Sequence, residues 1–114
     1  MPDVHVSLDT SVNPPVVTCD PPHLQMDRGT APINWLPAEN QDFTFASLTE
    51  LPTSIFGTPT VTDGEITVTD NNQNNGPVIV YPYTLCVSYG NPSQTCCTGS
   101  GVGGNPGDPT VDNK

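Results

Sequence analysis

Apolar residues along this chain recur in short alternations, and none of them keeps a helical period. "VHVSL" (4–8) puts Val4, Val6 and Leu8 on one face, the period of a half-buried strand. "PVVTCD" (15–20) and "HLQM" (23–26) are extended runs separated by Pro21-Pro22, which cannot continue a hydrogen-bonded ladder. "INWL" and "FTFAS" add Trp35, Phe43 and Phe45. "TPTVTDGEITVTD" (58–70) predicts a hairpin. Asp63-Gly64 between alternating residues is a type I′ signature, because both turn positions favour φ > 0, and it pairs Thr62 with Glu65 and Val61 with Ile66. "NNQNNG" (71–76) follows as a polar loop ending in the turn pair Asn75-Gly76. "VIVYPYTLCVSY" (78–89) is the longest expected strand, with Tyr83, Leu85, Val87 and Tyr89 on one face and Pro82 as a break or edge mark. "PAENQDF" suits a single helical turn started by Pro37 and Glu39, with no 3.6-residue period after it.

At 114 residues the chain is expected to form one domain, 1–114, with room for one core. Fourteen prolines and ten glycines are scattered rather than periodic, so they mark turns and edges and exclude collagen. The expected fold is all-β: an immunoglobulin-like antiparallel β-sandwich of about seven strands. No apolar run approaches the ~18 residues of a membrane span. The start, "MPDVHVSLD", shows no basic residue followed by an apolar stretch and hence no visible signal peptide. A cytoplasmic location, or one reached after removal of a leader, is expected from that.

Two basic residues, Arg28 and Lys114, face twelve acidic ones, for a net charge of −10. Nucleic acid is not an expected partner, since phosphate binding needs Lys and Arg to release counterions. Anionic lipid is disfavoured for the same reason. The acidity itself reads as solubility and repulsion between copies, with attraction of a cation or a basic partner as the functional alternative.

The cysteines are Cys19, Cys86, Cys96 and Cys97, which allow three full pairings. A four-residue hairpin loop at 90–93 would place Tyr89 opposite Gln94 and Cys86 opposite Cys97, favouring that bridge. The rival joins Cys19 to Cys86 around Trp35, as in immunoglobulin domains. That pattern places a Tyr two residues before the second Cys, where this chain has Thr84. Zinc lacks the paired C-x-x-C spacing. Type 1 copper lacks a His after the Cys, because His5 and His23 both precede Cys86. No cofactor is expected.

Calcium has one candidate, the oxygen-rich stretch with Asp70, Asn72 and Asn74. Counted from Asp70, an EF-hand would need Gly at the sixth position and Glu at the twelfth, where Asn75 and Tyr81 stand. A surface turn is the alternative for the same residues. A small hydrolase is the third reading, but no G-x-S-x-G elbow or paired-carboxylate arrangement supports it. The aromatics Tyr81 and Tyr83, on one face of the Tyr-Pro-Tyr run, suit a surface that grips a protein or glycan. Packing of one or both rings over the sandwich is the bland alternative.

"DPPHLQMDRGTAPINWLP", "EITVTDNNQNNG" and the closing Asp108, Pro109, Val111 and Asn113 together resemble small bacterial β-sandwich proteins of the DP-EP type. The likeness runs over residues 15–114, with the cysteines and the glycine-rich insert as departures. It implies an immunoglobulin-like sandwich and brings no catalytic residues. Gly99, Gly101 and Gly104 match G-x-G-x-x-G. Pro106 and the ten residues left after Gly104 leave no room for the helix and acidic residue of a dinucleotide site. Residues 98–107 read as a flexible loop and 108–113 as a final edge strand. The function expected is a non-enzymatic structural or binding module.

Overall fold

The strands form where apolar residues alternate, and prolines decide where they stop. The computed structural model describes residues 3–11, 15–39, 41–90, 92–98 and 109–114, and among these the chain is all β with no helix. Five strands make one sheet in the order β2-β1-β4-β7-β6: β1 (Asp3–Asp9), β2 (Val16–Asp20), β4 (Gly29–Pro37), β6 (Thr60–Val61) and β7 (Ile66–Asn72). A second sheet is β10-β9-β5, from β5 (Thr44–Thr49), β9 (Thr84–Tyr89) and β10 (Gln94–Cys97). The third is β3-β11-β8, from β3 (His23–Met26), β8 (Ile79–Pro82) and β11 (Thr110–Asn113).

Eleven strands stand among the described residues where about seven were expected, because prolines divide the longer runs. Pro21-Pro22 separates β2 from β3, which lie in different sheets, and Pro82 ends β8 so that β9 begins in another sheet at Thr84. Pairing is also not purely antiparallel: β1 runs parallel to β4, and β3 parallel to β11. Each of these pairs is joined by a long stretch of chain that includes other strands, as parallel neighbours require. The helical turn expected at 37–43 is absent from its described residues, since β4 continues to Pro37 and no 3.6-residue apolar stripe exists to bury a helix.

Inward side chains keep period two. Val4 and Val6 of β1, Ile33 and Trp35 of β4, Ile66 and Val68 of β7, and Leu85 and Val87 of β9 are buried. On β5 the buried pair is Phe45 and Leu48, three apart, and a register shift between Phe45 and Ser47 accounts for the extra residue. The 58–70 hairpin forms with the expected register, Val61 opposite Ile66 and the Thr62 N–H donating to the Glu65 carbonyl (2.9 Å). Its turn is not type I′, since neither Asp63 nor Gly64 has φ > 0. The Asp63 carbonyl accepts from the Phe45 N–H (3.0 Å), so the turn is shaped by contact with β5 as well as by its own two residues.

Tyr89 pairs with Gln94 and Cys97 with Cys86, and the Cys86–Cys97 disulfide is formed. Cys19 is a buried free thiol and Cys96 a half-buried one, so the immunoglobulin-like Cys19–Cys86 bridge does not occur. Closing 11 residues of chain restricts the unfolded state by ~3 kcal/mol in the chain-entropy account. Thr98, grouped with the flexible loop on sequence, is buried and completes this hairpin: its N–H donates to the Leu85 carbonyl and its Oγ1 accepts from the Leu85 N–H. The rest of that loop, with Gly99, Gly101 and Gly104, lies outside the described residues. The closing segment does dock, but β11 is the central strand of its sheet rather than an edge, with Val111 fully buried.

Trp35 and Tyr83 meet edge to face with centroids 5.4 Å apart, and Trp35 Nε1–H donates to the Tyr83 hydroxyl (3.0 Å). That hydroxyl also hydrogen-bonds the Cys19 sulfur, and burial pushes the Cys19 thiol up to about 11. Replacing Tyr83→Phe keeps the ring but strands a buried indole N–H. Thermal melts are expected to show a loss of about 1–3 kcal/mol. An unchanged melting temperature would show that the hydroxyl contributes nothing.

Candidate functional site

The four asparagines of 71–75 are spaced for turns. Asn72 Oδ1 accepts from the Asn74 N–H (3.0 Å), and Asn74 Oδ1 accepts from the Gly76 N–H (3.1 Å), two successive Asx turns that carry the chain out of β7. The amide nitrogens reach across to the end of the chain. Asn72 Nδ2 donates to the Met26 and Lys114 carbonyls (both 3.2 Å), and Asn74 Nδ2 donates to the Pro77 and Asn113 carbonyls (2.8 and 3.0 Å). Beneath them Asn113 Nδ2 donates to Asp70 Oδ1 (3.1 Å), with both side chains buried. Asn71 and Asn72 belong to β7, so the polar loop is shorter than its sequence suggests.

These asparagines border a cleft of about 170 Å³ shared with Ser54, Ile55, Ile79 and Tyr81. The Tyr81 ring is held by an edge-to-face contact with Phe56 (centroids 5.2 Å apart), and Phe56 is anchored by a β-bridge to Asp70. The fold thus brings together two sets of candidates that belong to different readings of the sequence: Tyr81 with Asn72 and Asn74. It does not bring in Tyr83, whose ring is fully buried against Trp35, so the expected two-tyrosine surface is not formed. Pro82 is the cause, because the chain changes sheets between the two rings.

The calcium arrangement drawn from Asp70, Asn72 and Asn74 is not assembled either. The Asn72 and Asn74 oxygens face backbone N–H groups of their own turns, while Asp70 lies inside against Asn113. Among the described residues no cluster of three or more His, Cys, Asp or Glu side chains has metal-binding geometry. Burial raises the Asp70 carboxyl above the ordinary aspartate range, and the Asn113 hydrogen bond offsets part of that rise.

The rim of the cleft is β8. Among the described residues it pairs with β11 on one side only, and Val78, Ile79 and Val80 are exposed by 50, 43 and 55 % on and beside this edge strand. The apolar run was visible in the sequence. Its exposure was not, although Pro77 and Pro82 at either end are the marks of an edge.

Two larger clefts, of about 450 and 330 Å³, share Asp42, Tyr89 and Gly90 where β9 runs out into its loop. They bring one carboxylate and no histidine or cysteine to their walls, and β8 with its locked cleft is the more defined surface. A histidine does stand beside a hydroxyl elsewhere: His23 Nδ1 is 2.8 Å from Thr110 Oγ1. Thr110 Oγ1–H donates to Asp112 Oδ1 (2.7 Å), which leaves His23 as the donor to Thr110. The order His–Thr–Asp is the wrong one for a base that activates a nucleophile, which needs the hydroxyl to face the imidazole acceptor.

Asn72→Ala is expected to destabilise the domain by about 1–3 kcal/mol, because it leaves buried carbonyls and the Asn74 N–H without their partner. Millimolar calcium is expected to leave the wild-type melting temperature in place; a rise that Asn72→Ala abolishes would restore the calcium reading. No family model matches this chain, and no curated protein sequence matches it significantly.

Proposed function

We propose that the chain is an immunoglobulin-like β-sandwich of the DP-EP type that works without catalysis, as a binding module. Its binding surface is the free edge of β8 together with the Tyr81 cleft. The supporting observation is the exposure of Val78, Ile79 and Val80 on an edge strand. Unpaired backbone groups on such a strand template the addition of another strand, and exposed apolar side chains favour its burial. The partner is an extended segment of another protein that adds beside β8, with backbone hydrogen bonds for affinity and the Tyr81 cleft for side-chain selection.

The net charge of −10 restricts that partner. Nucleic acid and anionic membrane surfaces are repelled, and neutral or basic segments are favoured. A glycan is the weaker alternative, because the cleft's amides are already engaged within the chain.

Extended peptides selected from a random library on the wild-type protein are expected to shift the amide resonances of residues 78–82. Val80→Lys is expected to weaken their binding by about tenfold or more, ~1.4 kcal/mol. Peptides that shift other strands, or bind Val80→Lys equally well, would remove β8 as the surface.

A further inference from the structure

Among the described residues two buried side-chain oxygens find no hydrogen-bond partner: Asp70 Oδ2 and Asn113 Oδ1. They belong to residues already joined once, through Asn113 Nδ2–H to Asp70 Oδ1, and with 0 and 1 % of their surface exposed neither reaches solvent. Each unsatisfied buried polar atom is costly, and here the two sit on residues already in contact. We propose that Asp70 is held as the neutral acid, and that its Oδ2–H donates to Asn113 Oδ1 to close a two-bonded acid–amide ring joining β7 to β11. One proton then satisfies both orphaned atoms.

The surroundings suit a proton rather than a cation. β4 and the 51–57 segment, which flank Asp70 through Ala31 and Phe56, contain no ionisable residue. Glu50, before that segment, accepts from Thr84. On β11, Asp112 turns to the other face and bonds Thr110 and Gln25. On β3, His23 bonds Thr110, and on β8 the Tyr81 ring rests on Phe56. Lys114 pairs with Asp27 at the surface (3.3 Å), and Arg28 is exposed. None of these groups is positioned as a partner for the Asp70 carboxyl, whose only hydrogen-bonding neighbour among the described residues is Asn113.

The ring is a pH-sensitive latch on the C-terminal strand. A carboxyl raised in the folded state stabilises it fully below the ordinary aspartate range, and that stabilisation is lost as pH rises through the raised value. Loss of the proton puts an unpaired charge behind β11 at Asn113, the residue that pairs with Ile79 of β8. Loosening there reaches the β8 edge; that consequence for binding rests on the function proposed above.

The test is a pH titration of the Asp70 side-chain carboxyl carbon by NMR on the ¹³C-labelled full chain, which needs no ligand. Its signal is expected to stay at the protonated position through the ordinary aspartate range and to move only above it. Asp70→Asn, which offers a permanent N–H in place of the acid O–H, is expected to keep the fold and to lose the decline in melting temperature that the wild type shows over that pH interval. Titration of Asp70 at or below the ordinary range overturns the proposal. So does an Asp70→Asn melting profile as pH-dependent as the wild type's, or movement of the Asp70 carbon on addition of millimolar calcium. If Asp70→Asn does not fold, the wild-type carbon titration decides alone. Failure of peptides to bind β8 leaves this titration unaffected, and it therefore separates the latch from the binding reading.

Discussion

Tyr83 is the residue on which the three sheets meet. Its backbone N–H donates to the Pro109 carbonyl (3.0 Å), fixing the start of β11. Its ring stands edge to face on Trp35 of the five-stranded sheet, and its hydroxyl accepts from the indole N–H while bonding Cys19 of β2. On either side of it the chain belongs to different sheets, β8 before and β9 after. A strand that changes sheets leaves its corner residue without a ladder, and a corner in the core must satisfy its polar groups by other means. Tyrosine does so here with one backbone and two side-chain hydrogen bonds, while its ring fills the space between the layers.

A second set of bonds does for the chain's end what Tyr83 does for its middle. β11 arrives as a central strand, yet "PTVDN" is short and carries one large apolar side chain, Val111. Hydrophobic burial of Val111, worth about 1.5–3 kcal/mol, is a small contribution for a strand that orders four residues. Side-chain amides supply the rest: Asn72, Asn74 and Asn113 bind carbonyls or a carboxyl across the strand junctions. Each such bond replaces water on a group that β11 would otherwise bury unpaired, so their value lies in the penalty avoided. The oxygen-rich stretch that resembles a calcium loop in sequence is used here to staple a strand.

How much of this was legible follows from the range of the contacts. Alternation placed β1, the 58–70 hairpin and the 78–89 run, whose second half is β9, and loop counting placed Cys86 opposite Cys97, because these depend on neighbours within a dozen residues. The turn at Asp63-Gly64 departed from its local preference where β5 binds it, a contact nearly twenty residues away. The parallel pairs β1–β4 and β3–β11 left no mark on the sequence, since period two is the same for either direction. Tyr81 and Tyr83 share a strand face by counting, and only the change of sheet at Pro82 separates one ring into the core and the other to a cleft. Asn113 stood in a short stretch that the sequence already marked as β-competent, but its partner Asp70 is 43 residues away and nothing local connects them.

The exposed edge of β8 and the acidity of the chain bear on each other. An apolar edge strand is an invitation to pair with any other edge, including that of a second copy. Many folds place a lysine on such an edge as a guard, but this chain has only two basic residues, and neither lies on β8. Pro77 and Pro82 at its two ends shorten the stretch that can template a partner to the residues between them. A net charge of −10 acts over the Debye length, ~8 Å at physiological ionic strength, and penalises approach of another equally charged copy before any backbone bond forms. A short neutral or basic segment carries no such penalty. In the binding role proposed above, the charge that disfavours a second copy therefore also selects which strands would add to the edge of β8.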